Sequence, residues 1–456
     1  MRFQKNPRTI IDKTLSANLF SHWTREMASM IEVTPQTTYP VFNVAKVRPL
    51  MEGYHVWDSW YVADEQGKVA SVQGYRVLVG LVRPVDDPQA ANARIAYFYS
   101  KDDVHYTAGG NIFPEKLYAD CQEWSGSTIL RNDGKIQTFY TIANGVQMNG
   151  NWQTLQRFAT AIQTVSKSTG GISLGKPDYH ELLTEPDGFY YETAFQASER
   201  EAMLPTMHRR DVGSDQTENS CFRDPHFYID KKTKKKYLVF EANTGPGCCP
   251  PGTIHRSYIG SEAYDPEYAP TVDDLKANGC VGVIELMDDN YTFAEFKPPW
   301  LTANLVTDEI ERINIIDYDN HVYLFVVGHG NKNTMVSGNS DLNNLDYMLG
   351  FRADTFLGAL TPMNGSGVVV QQKSGGLAYQ GQEENQQYVY SWMLVPGQKV
   401  GVFDCICYSN YSYNATKGVI EAVKSAGPTV EVRIEGLTSH IVGKKNDILP
   451  VSATDV

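Results

Sequence analysis

Between Gly53 and Gly436 the chain is a succession of short apolar and aromatic runs closed by turn residues, with little helical periodicity. VASVQGYRVLVGLV (Val69–Val82), ARIAYFYS (Ala93–Ser100), KIQTFYTI (Lys135–Ile142) and TLQRFATAIQTV (Thr154–Val165) read as strands. So do GFYYETAF (Gly188–Phe195), HFYID (His226–Asp230) and KYLVFEAN (Lys236–Asn243). HVYLFVVG (His321–Gly328), YVYSWMLVP (Tyr388–Pro396) and TVEVRIEG (Thr429–Gly436) complete the set. β-Branched and aromatic side chains suit a pleated, half-buried surface, and 37 Gly with 22 Pro supply the turns. The fold class is therefore all-β. The recurring unit is strand, turn, strand, then a polar loop with an acid or an aromatic. Stacked propeller blades and a large sandwich both meet that description, and periodicity does not separate them.

With 456 residues, 42% of them hydrophobic, the chain can bury a large core. Closed all-β folds of this size run as one unit, so residues 1–456 are expected to form a single domain. Residues 1–50 form an arm with a helical piece around Thr14–Met30. TVDDLKAN (Thr271–Asn278) is a short helix with Thr271 as its cap. His208–Ser220 and Gln372–Gln387 are polar insertions, expected as rim loops.

The net charge of −13 argues against nucleic acid as a partner, because a binder needs a basic stripe. The one dense basic run, Lys231–Tyr237, lies between FYID and LVF and reads as a hairpin turn. No continuous apolar stretch suggests a membrane span or a conventional signal peptide. Seven Cys with no CxxC pair make a disulfide scaffold unnecessary and leave one bridge open. No ligand set with zinc spacing is present, and no cofactor or metal is expected.

Four short words combine polar groups with aromatic or apolar neighbours: VWDSW (Val56–Trp60), EWSGS (Glu123–Ser127), FRDPH (Phe222–His226) and DEIER (Asp308–Arg312). Taken singly, each also reads as a turn or a wetted surface. Together they offer carboxylates beside indoles, the equipment of glycoside chemistry. One carboxylic acid protonates the leaving oxygen, and in the retaining version a second carboxylate attacks the anomeric carbon. Asp58 between Trp57 and Trp60 fits the nucleophile. Glu311 fits the acid/base. On a strand, Glu309 and Glu311 share a face, and two like charges in a dry site hold one proton near neutral pH. Asp224 fits a group that binds neighbouring hydroxyls and stabilises positive charge.

These words, in this order, resemble those of the bacterial levansucrase and inulosucrase family, glycoside hydrolase family 68, from about Val41 to Gly436. The resemblance implies a five-bladed β-propeller with a deep central pocket. It implies a fructosyltransferase acting on sucrose, with Asp58 as nucleophile, Asp224 as transition-state stabiliser and Glu311 as acid/base. Trp57, Trp124, Ser125 and Arg223 match sugar-binding positions, and Glu309 and Arg312 match the support around the acid. His329 stands where Gram-positive members carry an arginine facing the acceptor sugar, which points to the Gram-negative group. Asp308 resembles one ligand of a calcium site whose companions are not recognisable here, so no metal is expected. The implied partners are sucrose and fructan acceptors, the implied state a monomer, and the implied location extracellular or periplasmic. A mainly hydrolytic β-fructofuranosidase, an inulosucrase and a non-catalytic sugar-binding propeller are the alternatives.

Overall fold

The computed structural model describes residues 10–12, 20–87, 92–203, 220–248, 253–336, 345–373, 387–445 and 451–452. Five five-stranded sheets organise it. Their first strands are Tyr54–Tyr61 (blade I), Gln122–Leu130 (blade II), Phe222–Ile229 (blade III), Glu311–Tyr318 (blade IV) and Val389–Pro396 (blade V). From each first strand the chain runs outward through antiparallel neighbours before entering the next blade. The first strands touch in sequence, I to II, II to III, III to IV, IV to V, and V back to I. That closed ring excludes the sandwich. The molecule is a five-bladed β-propeller, with the first strands innermost.

Apolar side chains packed between the blades hold the ring together. Trp60, Val79, Tyr140 and Ala159 fill the junction of blades I and II. Phe139, Phe158, Phe222 and Phe240 fill the next. Val281, Trp300, Leu324 and Tyr347 join III to IV, and Phe325, Met348, Trp392 and Phe403 join IV to V. Each such side chain contributes about 1.5–3 kcal/mol on leaving water. The junction of V and I is thinner. Leu50, Val56, Leu78 and Phe98 meet Ala426 there, beside a polar cavity of about 430 Å³ lined in part by Arg76, Asp103, Asp404 and Lys445. Short strands from far along the chain finish two outer edges. Ser21–His22 runs parallel to Leu301–Thr302 on blade III, and Val451–Ser452 runs parallel to His105–Tyr106 on blade I.

Most strand expectations hold within a few residues. Gly188–Phe195 is instead a turn leading into a helix, Ala194–Met203. The Asp187 carboxylate accepts the N–H groups of Phe189, Tyr190 and Tyr191, and this local capture wins over the aromatic strand propensity of that run. Val69–Val82 contains a turn at Gln73–Gly74, so its strand starts at Arg76. The arm's helix spans only Arg25–Ser29, capped by Thr24, and residues 14–19 lie outside the described residues. Val272–Lys276 is helical, with Thr271 and Asp274 forming a capping box. The basic run is a tight hairpin turn. Most of both polar insertions falls outside the described residues. Cys121, Cys221, Cys248, Cys280, Cys405 and Cys407 are free thiols, and Cys249 is not among the described residues. No helix of the described residues is long and apolar enough to cross a membrane.

Candidate active site

Every innermost strand breaks its pairing register at an equivalent point. The shifts fall between Trp57 and Trp60, Trp124 and Gly126, Arg223 and His226, Glu311 and Asn314, and Tyr390 and Met393. These are β-bulges, which bend a strand and re-aim its side chains. Four carry a non-glycine residue in the left-handed region: Asp58 (φ 42°), Asp224 (φ 57°), Arg312 (φ 55°) and Ser391 (φ 58°). Such backbone costs about 1–3 kcal/mol per residue and is retained where a site needs it. In blade II the bulge is served by Gly126 instead. A Cβ there would sit 1.9 Å from the Phe139 carbonyl oxygen.

The bulges gather what the sequence scatters. Asp58, Ser125, Asp224, Arg312 and Ser391 occupy one slot of the five strands, and Trp57, Trp124, Arg223, Glu311 and Tyr390 the slot before it. Ser125 Oγ donates to Asp58 Oδ2 at 3.1 Å. The backbone N–H of Arg312 donates to Asp224 Oδ2 at 3.1 Å, and the N–H of Asp224 donates to Thr141 Oγ1 at 3.1 Å. Burial pushes the Asp224 carboxyl up, against the pull of Arg312 and Arg223, and nearby Asp58 adds to the rise.

Arg223 is the hub of the opposite wall. Its Nε donates to Glu241 Oε2 at 2.6 Å, and its Nη2 reaches Glu311 Oε1 at 3.1 Å and Glu309 Oε2 at 3.4 Å. Its guanidinium also lies over the Trp124 ring, 5.9 Å from the centroid. Glu311 accepts the Tyr390 hydroxyl at 2.5 Å through Oε2, and 18% of its side chain stays open. Burial raises the Glu311 carboxyl well above its ordinary value, and Glu309 raises it further. Arg223 opposes both. Burial likewise lifts Glu241, to about 7 against the pull of Arg223. The wall thus holds more carboxyl groups than it can ionise cheaply, and Glu311 is the one with an open face.

Not every expected residue sits as the strand argument placed it. Glu309 and Glu311 do converge, but Glu309 precedes the strand, which starts at Glu311. Their approach comes from the bend before the strand, not from alternation along it. Among the described contacts, Arg312 touches neither glutamate. Its guanidinium donates to the Ser59 carbonyl at 2.8 Å and lies over Trp60, so it braces blade I and, through its backbone, Asp224. Asp308 is buried, its carbonyl held by Asn243, outside the cluster of groups suited to a metal. Trp57 is half-buried, with the Lys424 ammonium 5.6 Å from its ring centroid.

Tyr390, Ser391 and Glu241 were missed by sequence reasoning. The signal for the first two was available: VYSWM repeats the shape of VWDSW, an aromatic before a short polar residue. Glu241 lies in KYLVFEAN and reads there as an unremarkable strand glutamate.

Among the described residues, Glu309, Glu311 and His329 bring possible ligand atoms within 4.8 Å of one another. The fit to a metal is poor. Arg223 and Lys332 already approach the two carboxylates, Arg223 at 3.1 Å from Glu311 and Lys332 at 3.8 Å from Glu309. These cations do the charge balancing that an ion would do.

Residues 14–447 match the family model described as Levansucrase/Invertase. The chain is 30% identical to a levansucrase of Bacillus amyloliquefaciens, over 94% of this chain and 89% of that protein. It is 28% identical to an extracellular sucrase of Zymomonas mobilis, over 91% of each. A Geobacillus stearothermophilus relative, 29% identical over 77% of this chain, is named an inactive levansucrase. Bacillus subtilis levansucrase superimposes with a TM-score of 0.79 at 26% identity, over 97% of this chain and 98% of that one. A levansucrase variant complexed with sucrose gives the same TM-score, identity and coverage. Fold, motif order and overall similarity agree, and the chain belongs to the levansucrase/invertase family, glycoside hydrolase family 68.

Proposed function

We propose that this protein is a fructosyltransferase that cleaves sucrose by two displacements at one carbon. An Asp58 oxygen attacks the anomeric carbon of the fructosyl unit. The bond to the glucosyl oxygen breaks, and that oxygen takes the proton held by Glu311. Glucose leaves and a fructosyl ester of Asp58 remains. Glu311, now ionised, removes a proton from an acceptor hydroxyl as its oxygen attacks the same carbon and the ester breaks. Asp224 binds fructosyl hydroxyls and offsets the positive charge that develops between the two steps. Trp57, Trp124, Ser125 and Arg223 hold the sugar rings, and Glu309 and Tyr390 support the acid.

The observation that carries this reading is the division of labour among equivalent bulges. Three innermost strands present a carboxyl group, and the one on blade IV is raised well above the ordinary range while still partly open. A non-catalytic sugar-binding propeller has no use for that arrangement. The point matters because family membership by itself covers a relative named inactive.

The acceptor is sucrose, a growing fructan or water. His329 fits a kinship with Gram-negative members, and the family resemblance supports levan or short fructooligosaccharide products and a monomeric enzyme acting outside the cytoplasm. The test is incubation with concentrated sucrose, measuring free glucose, free fructose and the linkage of the products. Glucose in clear excess over fructose, with β-2,6 links in the product, is expected. Equal release of the two sugars makes the protein a β-fructofuranosidase instead, and β-2,1 links make it an inulosucrase.

A further inference from the structure

His329 ends the strand His321–His329 and faces Glu311 across a short gap. Its Nε2 lies 3.9 Å from Glu311 Oε2 and 4.0 Å from Glu309 Oε1. The other nitrogen, Nδ1, is 2.7 Å from Asp346 Oδ1. The second oxygen of Asp346 accepts the Tyr388 hydroxyl at 2.6 Å. The ring also stacks on Tyr390, at 4.2 Å between centroids and 10° between planes, and Tyr390 donates to Glu311. Asp346 itself is buried, 1% exposed, and touches neither Glu311 nor the open side of the site among the described contacts.

A carboxylate on one imidazole nitrogen fixes the ring's orientation and stabilises its protonated form. We infer that Asp346, backed by Tyr388, is a positioning residue that keeps His329 as a cation aimed at Glu311. This rests on the reading of Glu311 as acid/base. Among the described contacts, the groups facing His329 favour the cation: Asp346 behind it, Glu309 and Glu311 in front, Tyr390 stacked on the ring and Tyr388 bonded to Asp346. Arg223 and Lys332, which pair with the same glutamates, oppose it. Although burial pulls the imidazole down, Asp346 and then the glutamates carry it up to about 10.

The chemical use follows from the second displacement. A carboxyl group raised by burial and by Glu309 is a good acid but reluctant to stay ionised after glucose leaves. A cation near 4 Å favours the ionised form and readies it to accept the acceptor's proton. Without that cation the Glu311 carboxyl climbs further. The acid step keeps its proton to higher pH, and the base step suffers.

The test compares Asp346→Asn with the parent in pH profiles of kcat/KM and kcat on sucrose. The expected result is an alkaline limb moved upward by about one pH unit, the scale of one partly screened charge near 4 Å. The kcat should fall roughly tenfold, as for loss of a charge-assisted hydrogen bond. Tyr388→Phe should move the limb the same way by less, Asp346→Glu should restore part of it, and Asp346→Asn should add nothing in a His329→Gln background. A merely structural role lowers activity without moving the limb, and an unmoved limb in both Asp346→Asn and Tyr388→Phe overturns the inference. Glu311→Gln, run alongside, separates the two readings. If it is inactive while the limb stays put, only the role of Asp346 fails. If it turns over normally, the acid/base reading fails first.

Discussion

The two walls of the site are built from the same backbone device and filled in opposite ways. On the wall of blades I and II, Asp58 takes one hydroxyl bond from Ser125 and follows the half-buried Trp57 in its strand. On the wall of blades III and IV, Arg223 ties together Glu241, Glu309 and Glu311, while Tyr390 and His329 close over the last. The sparse wall leaves the Asp58 carboxyl half-exposed with one hydroxyl partner, the open placement that a nucleophile requires. The crowded wall makes ionisation expensive, which is what an acid requires. Equivalent bulges thus carry acids in different surroundings, one hydroxyl partner at Asp58 against an arginine and crowded carboxyls at Glu311.

Substitutions on the two walls should therefore differ in kind as well as in size. Asp58→Asn should stop catalysis outright, by roughly 10⁴-fold or more, as expected when a covalent nucleophile is removed. Glucose release would report it, and substantial residual turnover would remove Asp58 from the mechanism. Glu311→Gln should cost about 10²–10⁴-fold on sucrose, the range of general acid catalysis. A fructoside with an activated leaving group, which needs no proton, should recover glycosylation in that variant; failure to recover it would place the defect elsewhere.

The supporting residues sharpen the contrast. Glu241→Ala leaves Arg223 short of a buried partner and should destabilise the fold by about 3–5 kcal/mol, read by denaturant unfolding. Ser125→Ala removes one hydroxyl bond and should cost only about 1 kcal/mol, seen as a several-fold loss in kcat/KM with unfolding unchanged. If the two variants unfold alike, the walls are not as different as their contacts imply.

The candidate groups were more legible in the sequence than the geometry that arranges them. VWDSW, FRDPH and DEIER put acids among aromatics and an arginine, and that juxtaposition is visible in letters. Five blades came only through the family resemblance, because periodicity left a sandwich open and the innermost strands share a register shift. Ser391 takes the same left-handed backbone as Asp58, and its word VYSWM echoes VWDSW only once the two strands are laid side by side. The pairing of Glu309 with Glu311 was found for a wrong reason, since the strand that was to align them does not include Glu309. Gly188–Phe195 failed because a single upstream aspartate captures three backbone donors, a local competition that propensity does not weigh.

The short strand Val451–Ser452, laid along His105–Tyr106, has a kinetic consequence. Blade I is written first but completed by residues from the other end of the chain, at the junction with the thinnest apolar packing. During synthesis blade I must wait, with its outer edge unpaired, until those residues emerge. Contacts this distant in sequence close slowly, and exposed strand edges recruit other chains meanwhile. The final clasp is thus a time at which the nascent ring is vulnerable, and the yield of folded protein should depend on how quickly the last residues reach the first blade.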